Sequence, residues 1–219
     1  MNEHSVICFP RRFEVRTANQ KGELKEHRRR EILSAAAKAF AEKGYHPTTI
    51  EEISETVDLA KGTIYLYFPS KEALFLAVIE DGVQRMVELI DEAANLRGRI
   101  QERLTTLLNA MLIFHWENQD FFRLFIKEAS ALERNSQDDL RSKCVRLHEM
   151  LLAHLNRIMG QGIQQGELRS MDPSTLSTLF LAIVHALSYR GLRNATLPAF
   201  ASSAPLIVDC FLSGVQARA

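Results

Sequence analysis

The segment from Thr48 to Lys71, Thr-Thr-Ile-Glu-Glu-Ile-Ser-Glu-Thr-Val-Asp-Leu-Ala-Lys-Gly-Thr-Ile-Tyr-Leu-Tyr-Phe-Pro-Ser-Lys, reads as two short helices joined by a tight turn. It follows a break at Gly44 and Pro47. Thr49 with Glu52 makes a capping box, hydroxyl and carboxylate satisfying the first free amides of a helix. Ile50, Ile53 and Val57 recur at helical spacing on one side, and Glu51, Glu52 and Glu55 face away from it. Asp58 ends this helix as one of the few non-glycine residues that tolerate a left-handed turn. Leu59 plugs the inside of the turn. Lys61-Gly62-Thr63 then open a second helix, with Ile64 and Phe68 pointing inward, Thr63, Tyr65, Leu66 and Tyr67 more exposed, and Pro69-Ser70 closing it.

Two helices joined by a turn of about three or four residues form a helix-turn-helix, whose second helix enters the DNA major groove N-terminus first. Lys61, Gly62 and Thr63 are then nearest the bases, with glycine admitting close approach. Thr48, Thr49, Tyr65, Tyr67 and Lys71 are the expected phosphate contacts. Two tyrosines this close in sequence cannot both point inward.

The DNA reading needs positive charge, yet 27 Lys and Arg balance 27 Asp and Glu. The footprint must therefore be local. Arg11, Arg12, Arg16, Lys21, Lys25, Arg28, Arg29 and Arg30 crowd the region before and at the start of the first helix. Residues 1–24 show no periodicity, contain Pro10 and Gly22, and are expected to be a flexible basic arm.

Gly44-Tyr45, Thr48-Thr49, Lys61-Gly62-Thr63-Ile64-Tyr65-Leu66-Tyr67-Phe68 and Ser70-Lys71-Glu72-Ala73-Leu74 resemble the TetR family of bacterial transcriptional regulators. The likeness is dense from Glu26 to Asp81. Beyond that it rests on length and helical pattern. Two departures stand out: Asp58 where the family usually has Gly, and Ala60 where it often has a capping residue such as Ser. Ala60 supplies no side-chain cap, a loss of about 0.5 to 2 kcal/mol relative to Ser, so the recognition helix is expected to fray or to gain order from DNA.

The rest of the chain predicts an all-α protein of about nine helices. Ile32, Leu33, Ala36, Ala39 and Phe40 form the inner face of a first helix ending at Gly44. Ser70 caps a long helix, apolar through Leu74, Val78, Met86 and Ile90, that leaves the small module (25–81) and enters a larger domain (82–219), which makes it a lever between them. Helices over 99–117, 119–133 and 137–165 follow, the last with a capping box at Ser136 and Asp139. Gly166 ends it, Asp172-Pro173 begins another, and Ser203-Ala204-Pro205 begins the last.

Leu176, Phe180, Ile183, Val184 and Leu187, with Ile207, Cys210 and Phe211, are more apolar than surface helices at a chain end require. The residues alone leave two readings, core or subunit interface. The resemblance implies the second, a four-helix homodimer interface, and a two-fold symmetric operator requires a dimer as well. Met111, Phe114, His115 and Trp116 lie in a run that is apolar on every side and so expected to be buried; Phe121, Phe122 and Phe125 follow directly. They either fill a core or line a cavity. The resemblance implies a small-molecule pocket among these middle helices, with His148 and His185 as further polar handles.

Cys8, Cys144 and Cys210 are too few and too far apart for a disulfide framework or metal site. No phosphate-cradling glycine loop, nucleophile elbow or His-Glu-x-x-His pattern is present, and no cofactor is implied. His148 and His154 fall on different sides of a helix. The Met-Asn-Glu-His-Ser start lacks signal-peptide design, and the apolar run near Leu179 to Leu187 is too short to span a bilayer, so a cytoplasmic location is expected. The sequence thus points to a ligand-responsive regulator, a repressor released from a palindromic operator by a hydrophobic or amphipathic effector. A DNA-bound organising protein with a protein partner and no effector is the alternative, and an enzyme with an appended DNA-binding module is disfavoured.

Overall fold

The computed structural model describes residues 12–131, 139–194 and 202–215. Among these the regular elements are α-helices: α1 (Arg12–Lys43), α2 (Ile50–Thr56), α3 (Lys61–Tyr67), α4 (Lys71–Asn95), α5 (Ile100–Glu117), α6 (Gln119–Ala131), α7 (Asp139–Gln164), α8 (Pro173–Asn194) and α9 (Ala204–Val215). Their order and number match the sequence expectation. The capping at Ser136 lies outside the described residues.

Local chemistry explains most boundaries. Gly44 ends α1 at φ 91°, its amide donating to the Phe40 carbonyl at 2.8 Å. Gly166, at φ 72°, turns the chain after α7. Asp172 receives the Thr175 amide at 3.1 Å and caps α8, with Pro173 in the first helical position. Ser70 caps α4 by accepting the Ala73 amide at 3.0 Å.

The N-terminal expectation needs correcting. Residues 12–24 are the opening turns of α1, which runs unbroken for 32 residues. Between Pro10 and Gly44 only Gly22 disfavours a helix, and one interior glycine costs only about 1 kcal/mol. The missing apolar periodicity reflects a helix that leaves the core: Leu24 is 66% exposed, whereas Ile32, Ala36 and Phe40 are fully buried.

α1, α2 and α3 pack as a small module, and α4 carries the chain out of it without a break at residue 81. In the larger layer α4 packs on α7, α7 on α8, and α5 on α4, α8 and α9, while α1 reaches across to α6. One continuous apolar core therefore runs from Ile32 to Leu212. Arg103 anchors it at the far end of α4. Its buried guanidinium donates to the carbonyls of Ala93 (3.2 Å) and Ala94 (2.9 Å) and to the Gln161 amide oxygen. Those carbonyls belong to the last turn of α4, where intrahelical donors run out; the Ala93 carbonyl also receives the Leu96 amide, at 3.3 Å.

Helix α8 is longer and more apolar than the run noted above. At 22 residues with mean hydropathy 1.2 it meets the length and composition of a bilayer span. Its stripe of Leu176, Phe180 and Val184 is nonetheless buried within the chain.

Candidate functional site

Helices α2 and α3 are built as their residues dictate. Thr49 caps α2 and Glu52 returns the bond, each at 3.3 Å. Lys43 holds Glu52 at 2.7 Å, and this hydrogen bond keeps the Glu52 carboxyl below its ordinary range. Asp58 sits at φ 51°, the one non-glycine residue with positive φ among those described. Leu59 is half-buried beneath the turn, its amide donating to the Ser54 carbonyl at 2.9 Å.

Ala60 makes no side-chain cap, yet α3 is complete. The Thr63 amide bonds the Ala60 carbonyl at 2.8 Å. Lys61 pairs with Glu51 and lies 5.9 Å from the Tyr65 ring centroid. That hydrogen bond lowers the Glu51 pKa and raises that of Lys61. A tie between the two helices thus stands where a capping side chain is missing.

The face of α3 turned away from Ile64 carries exposed Lys61, Gly62, Tyr65 and Leu66, with Leu66 82% exposed. A Cβ at Gly62 would meet no protein atom within 4 Å, so the fold itself does not demand glycine there. Thr63 and Tyr67 are half-buried, Tyr67 packing on the core. Arg29 of α1 lies 5.5 Å above the Phe68 ring and adds a cation beside the end of α3.

Two expected phosphate contacts are engaged inside the protein instead. Thr48 is fully buried, its hydroxyl facing the carbonyls of Gly44 (2.8 Å) and Ala39 (3.2 Å). Lys71 donates to the carbonyls of His46 (3.0 Å) and Thr48 (3.1 Å) and sits 4.7 Å from the Tyr45 ring centroid. Thr48 closes the turn after α1, and Lys71 fastens that turn to α4. Both roles depend on carbonyls supplied by distant folding, which residue type alone does not disclose. Thr49 remains exposed, its oxygen used as acceptor, so its O–H is directed by the cap to donate elsewhere.

The middle helices bring most of the expected sensor residues together. His115 of α5, Phe122 and Phe125 of α6, His148 of α7 and His185 of α8 form one chain of rings: His115 to Phe122 at 4.2 Å, Phe122 to His185 at 5.9 Å, Phe125 to His185 at 6.0 Å and Phe125 to His148 at 6.1 Å. Ser188 lies 2.7 Å from His115 Nδ1. Burial pushes the His115 pKa down to about 3 and that of His185 to about 4, and it lowers His148 as well. Met111 is fully buried and Trp116 half-buried on the core. The run 111–116 is not buried on every side, because Ile113 is 49% exposed.

A cavity lies beside the cluster. A cleft of about 280 Å³ opens between α1, α4 and the α5–α6 junction. Of the nine expected pocket residues only Phe114 and Phe121 line it, together with Arg30, Asp81, Gly82 and Arg85. Phe121 lies directly on Gly82, where a Cβ would collide with its ring.

The expected dimer surface is also redrawn. Leu176, Phe180, Val184 and Phe211 are buried within their own chain, with Phe180 and Phe211 at 5.8 Å ring to ring, and offer little surface to a second subunit. Ile183, Leu187 and Ile207 are half-buried and Cys210 is exposed. The outward apolar residues are Leu179 (47%), Tyr189 (59%) and Leu206 (65%), with Ala182 and Ala186 between them on α8. Their spacing of three and four was readable in the sequence. Which of the two apolar stripes faced inward was not.

The pattern of a small helix-turn-helix module joined by one helix to a larger all-helical layer has direct counterparts. The profile of bacterial regulatory proteins of the tetR family matches residues 32–78, and that of the tetracyclin repressor-like C-terminal domain matches residues 97–189. The chain belongs to the TetR family.

Among curated TetR-like relatives, it is 26% identical to the HTH-type transcriptional regulator YhgD of Bacillus subtilis (strain 168) over 74% of this chain and 83% of that protein. It is 28% identical to the fatty acid metabolism regulator protein of the same organism, over 64% of this chain and 70% of that protein. Among solved structures, the transcriptional regulator FadR from Bacillus subtilis in complex with stearoyl-CoA superposes with a TM-score of 0.68 at 23% identity, over 81% of this chain and 96% of that one. This TetR-family chain is accordingly a DNA-binding transcriptional regulator.

Proposed function

We propose that this regulator is a repressor that binds a two-fold symmetric operator as a homodimer and is released by a small hydrophobic or amphipathic effector. The observation that carries the reading is the open face of α3. Lys61, Gly62, Tyr65 and Leu66 project together from a helix anchored by Ile64 and Phe68, and the glycine at their centre serves no packing need. Lys61 and Thr63 approach base edges. Leu66 offers an apolar contact of the kind that reads a thymine methyl group. Thr49, Tyr65 and Arg29 hold phosphates.

The second copy docks on the outward stripe of α8 and α9, Leu179, Ala182, Ala186 and Leu206. Two-fold pairing then sets the recognition helices one helical turn of DNA apart, about 34 to 36 Å. An effector in the larger domain shifts α4, changes that spacing and weakens DNA binding, by a coupling of typically about 1 to 3 kcal/mol. The fatty acid metabolism regulator among its relatives favours an effector with an acyl chain. The protein acts on DNA in the cytoplasm, with no catalytic step and no cofactor.

Selection from random DNA with the full-length protein tests this. It should enrich a palindrome bound by two copies, and Thr63→Ala should change the preferred bases. A screen of compounds for release of that operator tests the effector. Enrichment of no sequence would defeat the operator reading, and failure of every compound to alter DNA binding would defeat the effector reading.

A further inference from the structure

Three ring nitrogens in the larger layer are buried with no hydrogen-bond partner among the described residues: His115 Nε2, His148 Nδ1 and His185 Nε2. They come from three different helices, and the rings that carry them join through Phe122 and Phe125. Unmet buried polar atoms are rare, and each costs about 1 to 3 kcal/mol unless something serves it. A purely structural core gains nothing from three such groups.

An opening lies close to them. The cleft of about 280 Å³ ends on Phe114 and Phe121. Phe114 stands 5.9 Å from His115, and Phe121 stands 5.7 Å from Phe125, ring to ring. Two aromatic side chains thus separate a solvent-connected cleft from the histidines.

The geometry points to a ligand subsite in which His115, His148 and His185 hold an uncharged oxygen, that of an ester, thioester, ketone or hydroxyl on an apolar chain, and discriminate against a free carboxylate. This rests on the proposal that the larger domain takes an effector, and it specifies the polar group of that effector. A neutral imidazole offers one donor and one acceptor, which suits an uncharged polar group. Burial holds these histidines neutral, and Glu149, beside His148, acts on that ring as a charge from outside the trio. Among the described residues no cation acts on these three rings, Arg30 and Arg85 lying in the cleft outside, so a carboxylate held here would lose its hydration uncompensated unless it brought a proton along.

Titration calorimetry on the full-length protein at pH 8, with methyl decanoate, decanoate and undecane, tests the subsite. Methyl decanoate should bind at least about ten-fold tighter than either of the others, the worth of one good hydrogen bond. His185→Phe and Ser188→Ala should each cut the ester-over-alkane preference to about three-fold or less, and Ser188→Ala should leave undecane binding within about two-fold. Ser188→Ala removes only the partner of His115 and carries the test should His185→Phe fail to fold. Tighter binding of decanoate with proton uptake, equal binding of ester and alkane, or binding of none of the three would each overturn the inference. In any of those cases, a different compound that releases the operator would leave the effector reading standing.

Discussion

Lys143 of α7 grips Glu72 in the first turn of α4, Nζ to Oε1 at 2.8 Å. Glu72 stands two residues beyond Ser70, so a residue of the larger layer holds the point where the chain leaves the recognition helix. Both partners are more than a third exposed, and such a pair is worth no more than about 1 kcal/mol. Its effect is expected on position instead. Glu72→Lys or Lys143→Glu should change operator affinity at least about two-fold in a gel-shift titration, and the charge-swapped double variant should restore it.

Lys71→Ala should weaken the small module more than the charge pattern suggests. Two carbonyls lose a charged donor and Tyr45 loses a cation, a cost of about 1 to 3 kcal/mol in urea unfolding. Because this ammonium is occupied internally, the salt slope of DNA binding should stay nearly constant. A slope reduced by about one unit would return Lys71 to the phosphates.

What the sequence disclosed was local chemistry. Thr49 with Glu52, Ser70, Asp172-Pro173 and the left-handed Asp58 each announce themselves within a few residues, and all four stand as read. Thr48, Lys71, Phe180 and Val184 did not, because what they touch comes from elsewhere in the chain. A buried threonine closing a turn and an exposed one facing DNA have the same one-letter code. The aromatic and histidine residues could be grouped by their helices, but only the packing of α5 to α8 shows that their rings form a continuous chain and that an open cleft lies to one side.

Arg103→Met should cost about 3 kcal/mol. The Ala94 carbonyl at the end of α4 loses the guanidinium donor in a buried place, the Ala93 carbonyl keeps only the Leu96 amide, and the replacement fills the volume without serving either. Burial lowers the Arg103 pKa, the expected direction for a desolvated cation. Urea unfolding of the variant reads the loss.

Stability should fall on acidification before the carboxylates titrate. His115 and His185 are held near 3 and 4, well below their ordinary 6.5, so the unfolded chain binds protons that the folded one refuses. Their contribution is complete above about pH 7 and is lost as pH falls below 6.5, continuing until the folded values are reached. Each ring adds a slope of about 1.4 kcal/mol per pH unit inside that window. Thermal unfolding from pH 7.5 to 5 should show it, and His185→Phe should remove about half.

Asp58→Gly and Ala60→Ser should both stabilise the module. Glycine adopts φ 51° without steric strain, and serine at position 60 offers an acceptor to the opening amides of α3. Gains of about 0.5 to 1 kcal/mol each are expected in thermal unfolding, adding only in part because the sites are two residues apart.

The continuity of α1 and α4 has a consequence for how the molecule comes apart. Residue 81 divides the chain on paper, but α4 passes through it, α1 spans from the recognition module to α6, and one apolar core includes both sides. No cut leaves two halves with covered surfaces. The small module and the larger layer should therefore melt in a single cooperative transition, so that anything which steadies the histidine core also raises the temperature at which the DNA-reading helix is lost.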